Sequence, residues 1–317
     1  MSISDCDAEV RIEHVSHRYN SQWAVKDVSF TLTGRRITGL LGANGAGKST
    51  LMNIICGALT PTCGEVFING YSIRRDPVAA KRQIGFLPQK PPLLADLTVE
   101  EYLGYAAELR RVGTVRKAVE EAMERCGISH FRKRLVKHLS GGYQQRVGIA
   151  QAIIHHPAFI VLDEPTNGLD PTQIVEIRRL IGEISGECLV MLSTHILHEV
   201  QLACERILMM ADGEMIFEGG IDDFNHSVSP RAIVVSVADA PQLDRWLDIP
   251  GVAAVEPLPE QAGTFRLLFR GESDRVCEQV VRHAVGHDWR LREIRKELPS
   301  ADDIFKYLTS QPHRNTD

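Results

Sequence analysis

The stretch GLLGANGAGKSTLMNII, Gly39 to Ile55, sets three glycines between positions 42 and 47, then a lysine, two hydroxyl residues and an apolar run. Glycine is costly inside a helix and weak inside a strand. A chain tolerates such density where its backbone must turn sharply or lie close to another group. Upstream, RITGLL is a short apolar run of the kind that forms a buried strand. Downstream, STLMNIICGAL has helical spacing and is closed by Thr60-Pro61. The glycines therefore join a buried strand to a helix, and this part of the chain reads as α/β.

Gly42-x4-Gly47-Lys48-Ser49 after a strand and at the start of a helix is the context that the P-loop motif requires. Without side chains at the glycines, successive backbone N–H groups can turn inward around a phosphate. The helix N-terminus adds partial positive charge. In such a loop Lys48 reaches the β- and γ-phosphates and the Ser49 hydroxyl sits on Mg²⁺. Thr50 would cap the helix and touch the α-phosphate. A helix start that merely needs flexible residues is the competing account, and the strand–loop–helix context weighs against it.

Two further stretches carry chemistry. FIVLDEP is an apolar strand ending in acids. In P-loop folds a strand beside the first one delivers an acid to Mg²⁺, and Asp163 fits. Glu164 is placed to polarise a water for attack on the γ-phosphate. Taken alone, Asp-Glu-Pro would equally end a strand and begin a turn. LSGGYQQR, Leu139 to Arg146, sets Ser140, Gly141 and Gly142 before a helix. Alone it reads as an N-cap at Ser140 with flexible glycines. Beside a P-loop, a second phosphate-binding turn makes most sense if it closes over a nucleotide held by another subunit.

The remaining sequence sets the organisation. EVRIEHVSH and AVKDVSFTL alternate as half-buried strands do. GEVFINGYSI and RILMMADGEMIFEGG hold hairpin turns at Asn69-Gly70 and Asp212-Gly213. Leu97 to Phe131 is rich in helix formers and reads as a helical insert, and GECLVMLSTH is a second buried strand. The composition breaks near Ile221 to Pro230, and beyond it the order is βαββαβ with a trailing helix, SADDIFKYLTS. That order predicts a small split-βαβ sandwich. Two domains are expected, 1–228 and 229–317. The chain's 317 residues suit one large domain or two smaller ones, and at 44% hydrophobic they can bury a core. A net charge of −5 gives no sign of a nucleic-acid partner. The seven cysteines are scattered and never spaced C-x-x-C, so they read as reduced thiols. No signal pattern opens the chain, and no run of about 18 apolar residues exists to span a membrane. His283 and His287 have the i, i+4 spacing of a ligand pair, but Gly286 between them suggests a helix end at the surface.

With these motifs in this order, residues 9–220 resemble the ATP-binding cassette of ABC transporters. Gly42 to Thr50, including Asn44, Gly45 and Gly47, match the Walker A loop, and FIVLDE matches Walker B. LSGGYQQR resembles the signature motif, with Tyr143 where the commonest form has Gln. Gln89 in FLPQ matches the Q-loop, which senses Mg²⁺ and the attacking water; Asp170 in NGLDP matches the D-loop. His195 in LSTH matches the switch histidine that contacts the γ-phosphate. Tyr19 matches the aromatic that stacks on adenine, with Trp23 a nearby rival. The fold implied is a P-loop NTPase core with an antiparallel β subdomain and a helical insert, followed by a ferredoxin-like C-terminal α+β domain. The closing EIRKELPSADDIFKYLTS resembles the tail of cassettes paired with ABC-2-type permeases, and within these the gliding-motility, drug- or copper-export group. Pro299, Ser300, Asp302, Asp303, Phe305, Leu308 and Thr309 fit, while Ala301 and Lys306 depart.

The resemblance implies an ATPase that uses ATP and Mg²⁺. Two cassettes, identical or closely related, would dimerise head to tail, with Ser49, Gln89 and Asp163 on the metal. Lys48 and His195 would neutralise charge, and Glu164 and Gln89 would place the water. The movement would energise a separate membrane permease, most plausibly an exporter, from the cytoplasmic face of the membrane. The permease would dock near PQKPPLLADLTVEEYL. The competing function is a soluble ABC ATPase acting on ribosomes or DNA. Such translation factors carry two cassettes in one chain, and the repair ATPases insert a coiled coil for which the span from Lys48 to Ser140 has no room. A non-hydrolysing regulatory cassette would be expected to lack Glu164, His195 or the signature, and all are present. The tail holds no metal cluster or convergent catalytic set and reads as dimer-stabilising or regulatory.

Overall fold

Alternating apolar residues draw the first two strands into an antiparallel pair. Val10, Ile12 and Val15 of β1 (Glu9–Tyr19) and Val25, Val28, Phe30 and Leu32 of β2 (Gln22–Thr33) are buried, and their neighbours face water. This computed structural model describes residues 8–227, 232–258 and 263–297. β3 (Ile37–Leu41) is buried along its whole length and runs through the glycine loop into α1 (Lys48–Ile55). That helix stops well before Thr60-Pro61. The amides of Gly57 and Ala58 bond back to the carbonyls of Ile54 and Asn53 and close its last turn.

β4 (Cys63–Ile68) and β5 (Tyr71–Ser72) form the hairpin around Asn69-Gly70. After α2 (Pro77–Arg82) and β6 (Ile84–Leu87) comes the helical insert, α3 (Val99–Leu109) and α4 (Val115–Arg125). α3 opens on a reciprocal capping box between Thr98 and Glu101. Next are α5 (Gly141–Ile153), β7 (Phe159–Asp163), α6 (Pro171–Ser185), β8 (Leu189–Thr194) and α7 (Leu197–Ala203). β9 (Arg206–Ala211) and β10 (Glu214–Gly220) pair around Asp212-Gly213.

Two sheets result, an antiparallel one ordered β2-β1-β4-β5 and a six-stranded one ordered β10-β9-β3-β8-β7-β6. In the second, β9, β3, β8, β7 and β6 are mutually parallel. One core joins the two sheets, and Leu51, Met52, Ile54 and Ile55 of α1 lie fully buried within it. Burial of each such side chain contributes about 1.5–3 kcal/mol, so the helix behind the glycine loop is firmly anchored. One expectation is corrected: β7, which carries Asp163, is not beside β3, because β8 lies between them.

The chain forms two compact units that divide between Ile221 and Asp222, within the first turn of α8 (Ile221–Ser227), whereas the composition break points to 228/229. The second unit contains β11 (Ala232–Val237), α9 (Leu243–Leu247), β12 (Val252–Pro257), β13 (Thr264–Phe269), α10 (Ser273–Gly286) and β14 (Leu291–Glu297). Its antiparallel sheet is ordered β12-β13-β11-β14, with β13 inserted between the two strands that α9 connects. This is the split βαβ arrangement. Ile233, Val235, Leu267 and Val280 pack there around Trp246, whose ring lies 4.7 Å from that of Trp289. His283 and His287 stack with centroids 4.8 Å apart at the end of α10, and His287 Nδ1 is bonded to the His283 carbonyl. Among the described residues no group of three metal-ligating side chains forms. Cys56, Cys63, Cys126, Cys188, Cys204 and Cys277 are free. Burial pushes the thiols of Cys126, Cys188 and Cys204 up to about 12, so they stay protonated in the core. The expected last helix and the tail residues Pro299 to Thr309 lie outside the described residues.

Candidate nucleotide site

The topology gathers the site. β3, β8, β7 and β6 are neighbours and parallel, so the residues that leave their C-terminal ends meet at one edge of the sheet. From β3 comes the glycine loop, from β8 His195, from β7 Asp163 and Glu164, and from β6 Gln89.

The glycines of the loop have different causes. A Cβ on Gly42 would sit 2.5 Å from the Met210 carbonyl oxygen, and one on Gly47 would sit 2.3 Å from that of Ala24. Both positions are therefore reserved by the protein's own backbone. Gly45 has φ +86° and open space where its side chain would be, so it supplies the turn and keeps the loop face bare. Lys48 opens α1 and is 6% exposed. Its Nζ donates to the carbonyls of Gly42 (2.8 Å) and Ala43 (3.0 Å). Burial lowers its pKa, opposed by the carboxylates of Glu164 and Asp163. Ser49 is exposed at the first turn and Asn44 on the loop. The expected cap at Thr50 does not form. Gly47 is the N-cap, without a side-chain bond, because the helix begins at Lys48 and Thr50 already lies inside it.

Glu164 is the centre of the acidic cluster. Its Oε2 accepts from Gln89 Nε2 (2.7 Å) and Asn167 Nδ2 (3.0 Å), and its Oε1 lies 3.1 Å from His195 Nδ1. Its backbone has φ +47°, a left-handed conformation costing a non-glycine residue about 1–3 kcal/mol. The fully buried Ser193 helps to hold it there. The Ser193 hydroxyl accepts the Glu164 N–H (2.9 Å) and donates to Asp163 Oδ1 (2.5 Å). Sequence reasoning found Glu164, Gln89 and His195 but missed Ser193, Asn167 and Thr166. The signal was available in LSTH, where two hydroxyls close an otherwise apolar buried strand.

The remaining expected residues stand apart. Ser140 is the exposed N-cap of α5, and its hydroxyl makes no capping bond. Gly141 has open space at its missing side chain, whereas Gly142 is packed by Gln173. Asp170 caps α6, accepting the Gln173 N–H at 2.9 Å. Gly142, Asp170 and Gln173 line a cavity of about 500 Å³. Tyr143 packs edge-on against Phe131 at 4.5 Å, which accounts for an aromatic at that position. Among the described residues no hydrogen bond or ion pair joins Ser140 or Asp170 to Lys48, Glu164 or His195. The expected residues thus fall into two groups with no such bond between them. Tyr19 ends β1, half exposed, its ring edge-on to buried His17 at 4.7 Å. Trp23 lies across the same hairpin beneath the Arg18 guanidinium.

Comparison with known proteins agrees with this geometry. Residues 25–167 match the family model described as ABC transporter. The uncharacterized ABC transporter ATP-binding protein YxlF of Bacillus subtilis is 32% identical over 75% of this chain and 79% of its own length. The chain belongs to the ATP-binding proteins of ABC transporters. It binds ATP with Mg²⁺ and hydrolyses it, as cassettes of this family do, and they dimerise and work with membrane permease subunits. The linearmycin resistance ATP-binding protein LnrL of B. subtilis is 27% identical over 96% of this chain and all of its own. Among solved structures, the dimeric cassette MJ0796 in a post-hydrolysis state with ADP and Pi superposes with a TM-score of 0.62. It is 29% identical and covers 67% of this chain and 98% of its own.

Replacement at the two kinds of glycine separates packing from ligand access in this cassette. Gly47→Ala, which combines positive φ with a backbone clash, is expected to cost roughly 2–6 kcal/mol. Gly141→Ala, with space for its methyl, is expected to melt within about 1 kcal/mol of the parent. Thermal denaturation checks both, and a parent-like Gly47→Ala would contradict the packing argument.

Proposed function

We propose that the chain is the ATPase subunit of an ABC-2-type exporter, closing as a dimer around two ATP molecules to drive a separate permease. The observation that carries this reading is the span of the relatives. Similarity over 65–77% of the chain reaches proteins named for export and for import, such as the lipopolysaccharide export protein LptB of Haemophilus influenzae and the hemin import protein HmuV of Bordetella avium. Similarity over nearly the whole chain, including the second unit, reaches LnrL, named for linearmycin resistance, and the uncharacterized YhcH of B. subtilis. The accessory unit, taken as a domain beginning near residue 229, supports the dimer or its regulation.

Each half-site has its task. Gly42, Asn44, Gly45, Gly47, Ser49 and Thr50 cradle the phosphates with Lys48, and Tyr19 stacks on adenine. Ser140, Gly141 and Gly142 cover the nucleotide of the partner cassette, with Asp170 at the same face. Ser49, Gln89 and Asp163 offer the hard oxygen donors that Mg²⁺ prefers, and they would hold it. When bound, the ion neutralises charge on the phosphate oxygens. Glu164 takes the proton of the attacking water, Gln89 fixes the orientation of that carboxylate, and His195 stands ready for the γ-phosphate. Hydrolysis and product release reopen the dimer, and that movement is the work stroke.

The permease docks from the membrane side, so the cassette sits on the cytoplasmic face. Among the described residues no helix is long and apolar enough to cross a membrane. A groove of about 600 Å³ lined by Phe86, Leu94, Tyr102, Tyr105 and Leu109 lies along the expected docking segment and next to the strand that leads to Gln89. Tyr105 and Leu109 are well exposed there.

Two measurements test the proposal. Purification in mild detergent should retain an integral membrane permease encoded beside this chain, and Tyr105→Arg should release it; retention of ribosomes or nucleic acid in its place would overturn the transport assignment. Glu164→Gln keeps the shape of the site but removes the base. It should lower turnover by about 10²–10⁴-fold and let an ATP-bound dimer accumulate on size-exclusion chromatography. Adding Ser140→Arg should abolish that dimer, and wild-type turnover by Glu164→Gln would remove Glu164 from its role.

A further inference from the structure

Glu199, on the first turn of α7, is a buried carboxylate that the reaction as described does not use. It is 9% exposed. One of its oxygens, Oε2, accepts two hydroxyl hydrogens, from Thr166 Oγ1 and from Thr194 Oγ1, each at 2.9 Å. No lysine or arginine among the described residues pairs with it.

The two threonines belong to the two turns that meet at Glu164. Thr166 is two residues beyond Glu164 and directly precedes Asn167. Asn167 bonds the Glu164 carboxylate through its side chain and the Glu164 carbonyl through its own N–H (3.1 Å). Thr194 directly precedes His195, and its hydroxyl also accepts the N–H of Ile196 at 3.0 Å. His195 is thus flanked by residues that one hydroxyl fixes, and that hydroxyl is fixed by Glu199.

A carboxylate at this helical position commonly bonds the backbone of its own N-cap. Here the N-cap is Ile196, whose N–H is taken by Thr194, and the Glu199 carboxylate reaches across to two loops. Local helix capping therefore does not account for its contacts. An ionised carboxylate is an acceptor only, so it suits two hydroxyl donors that must both point inward.

We propose that Glu199 is a positioning residue for hydrolysis. It ties the Thr166–Asn167 turn to the Thr194–His195 turn, and so holds Asn167 and His195 where they orient the Glu164 carboxylate. The inference rests on the assignment of Glu164 as the base.

The test compares turnover with ATP binding. Glu199→Ala is expected to lower kcat about 10- to 100-fold, as loss of a group supporting reacting residues does, and to leave ATP affinity within about threefold of wild type. Glu199→Gln, whose amide oxygen still accepts both hydroxyls, should recover most of that loss. Thr166→Val, which removes one arm of the tie with little change of volume, should lower kcat in the same sense and add little to Glu199→Ala. In the Glu164→Gln background, Glu199→Ala should leave the ATP-trapped dimer intact. Unchanged kcat in both Glu199→Ala and Thr166→Val would overturn the proposal. So would a fall in kcat that tracks lost ATP affinity and a lost dimer, because that marks general destabilisation. If Glu199→Ala does not fold, the same outcomes are read from Thr166→Val. Wild-type turnover by Glu164→Gln would instead overturn the assignment beneath the proposal, so the two failures are distinguishable.

Discussion

The hydroxyl of Ser193 joins the two acids that end β7: it receives the N–H of Glu164 and donates to the carboxylate of Asp163. This bridge is available only because β8 lies directly beside β7, with Ser193 in register with Asp163. It divides the labour of two adjacent carboxylates. Asp163 is fixed with one oxygen committed, while Glu164 leaves the strand in a left-handed conformation and turns toward Gln89, Asn167 and His195. Each of those partners comes from a different strand end or loop. A shift of any one strand along the parallel sheet would disperse them.

The P-loop depends on packing of the same sheet. Its position is set by α1, buried between the two sheets, and by carbonyls of Ala24 and Met210 that come within contact distance of Gly47 and Gly42. Ala24 belongs to the antiparallel sheet and Met210 to the parallel one, so the loop is held from both sides. The signature turn is built otherwise. Gly141 faces open space and the Ser140 hydroxyl is uncommitted as a cap. One chain thus supplies a preformed phosphate loop and, away from it, an open turn, which is the division expected of a site completed between two subunits.

Much of this was legible because glycine, hairpin and hydrophobic patterns act locally. Asn69-Gly70 and Asp212-Gly213 gave their hairpins, the βαββαβ order gave the split sheet of the second unit, and the family resemblance singled out Gln89 and His195, which the fold sets against Glu164. What escaped were relations between distant segments. Spacing along the chain says nothing of sheet order, so the insertion of β8 between β3 and β7 was not foreseen. The glycine loop was read wholly as phosphate space, whereas two of its three glycines answer to neighbouring backbone. Thr50 was read as a cap, but the helix starts one turn earlier than that role requires. Ser193, Thr166 and Glu199 are ordinary residues in sequence and gain meaning only from what the fold sets opposite them.

The central claim is that neither half-site turns over ATP alone. The most direct measurement is the specific ATPase activity of the purified chain across a wide range of protein concentration, with saturating Mg-ATP. A site shared between two subunits predicts that activity per molecule rises with concentration and levels off as dimer forms, with dilution restoring the slow state. Activity that stays proportional to protein down to high dilution, with only monomer present under ATP, would contradict the account.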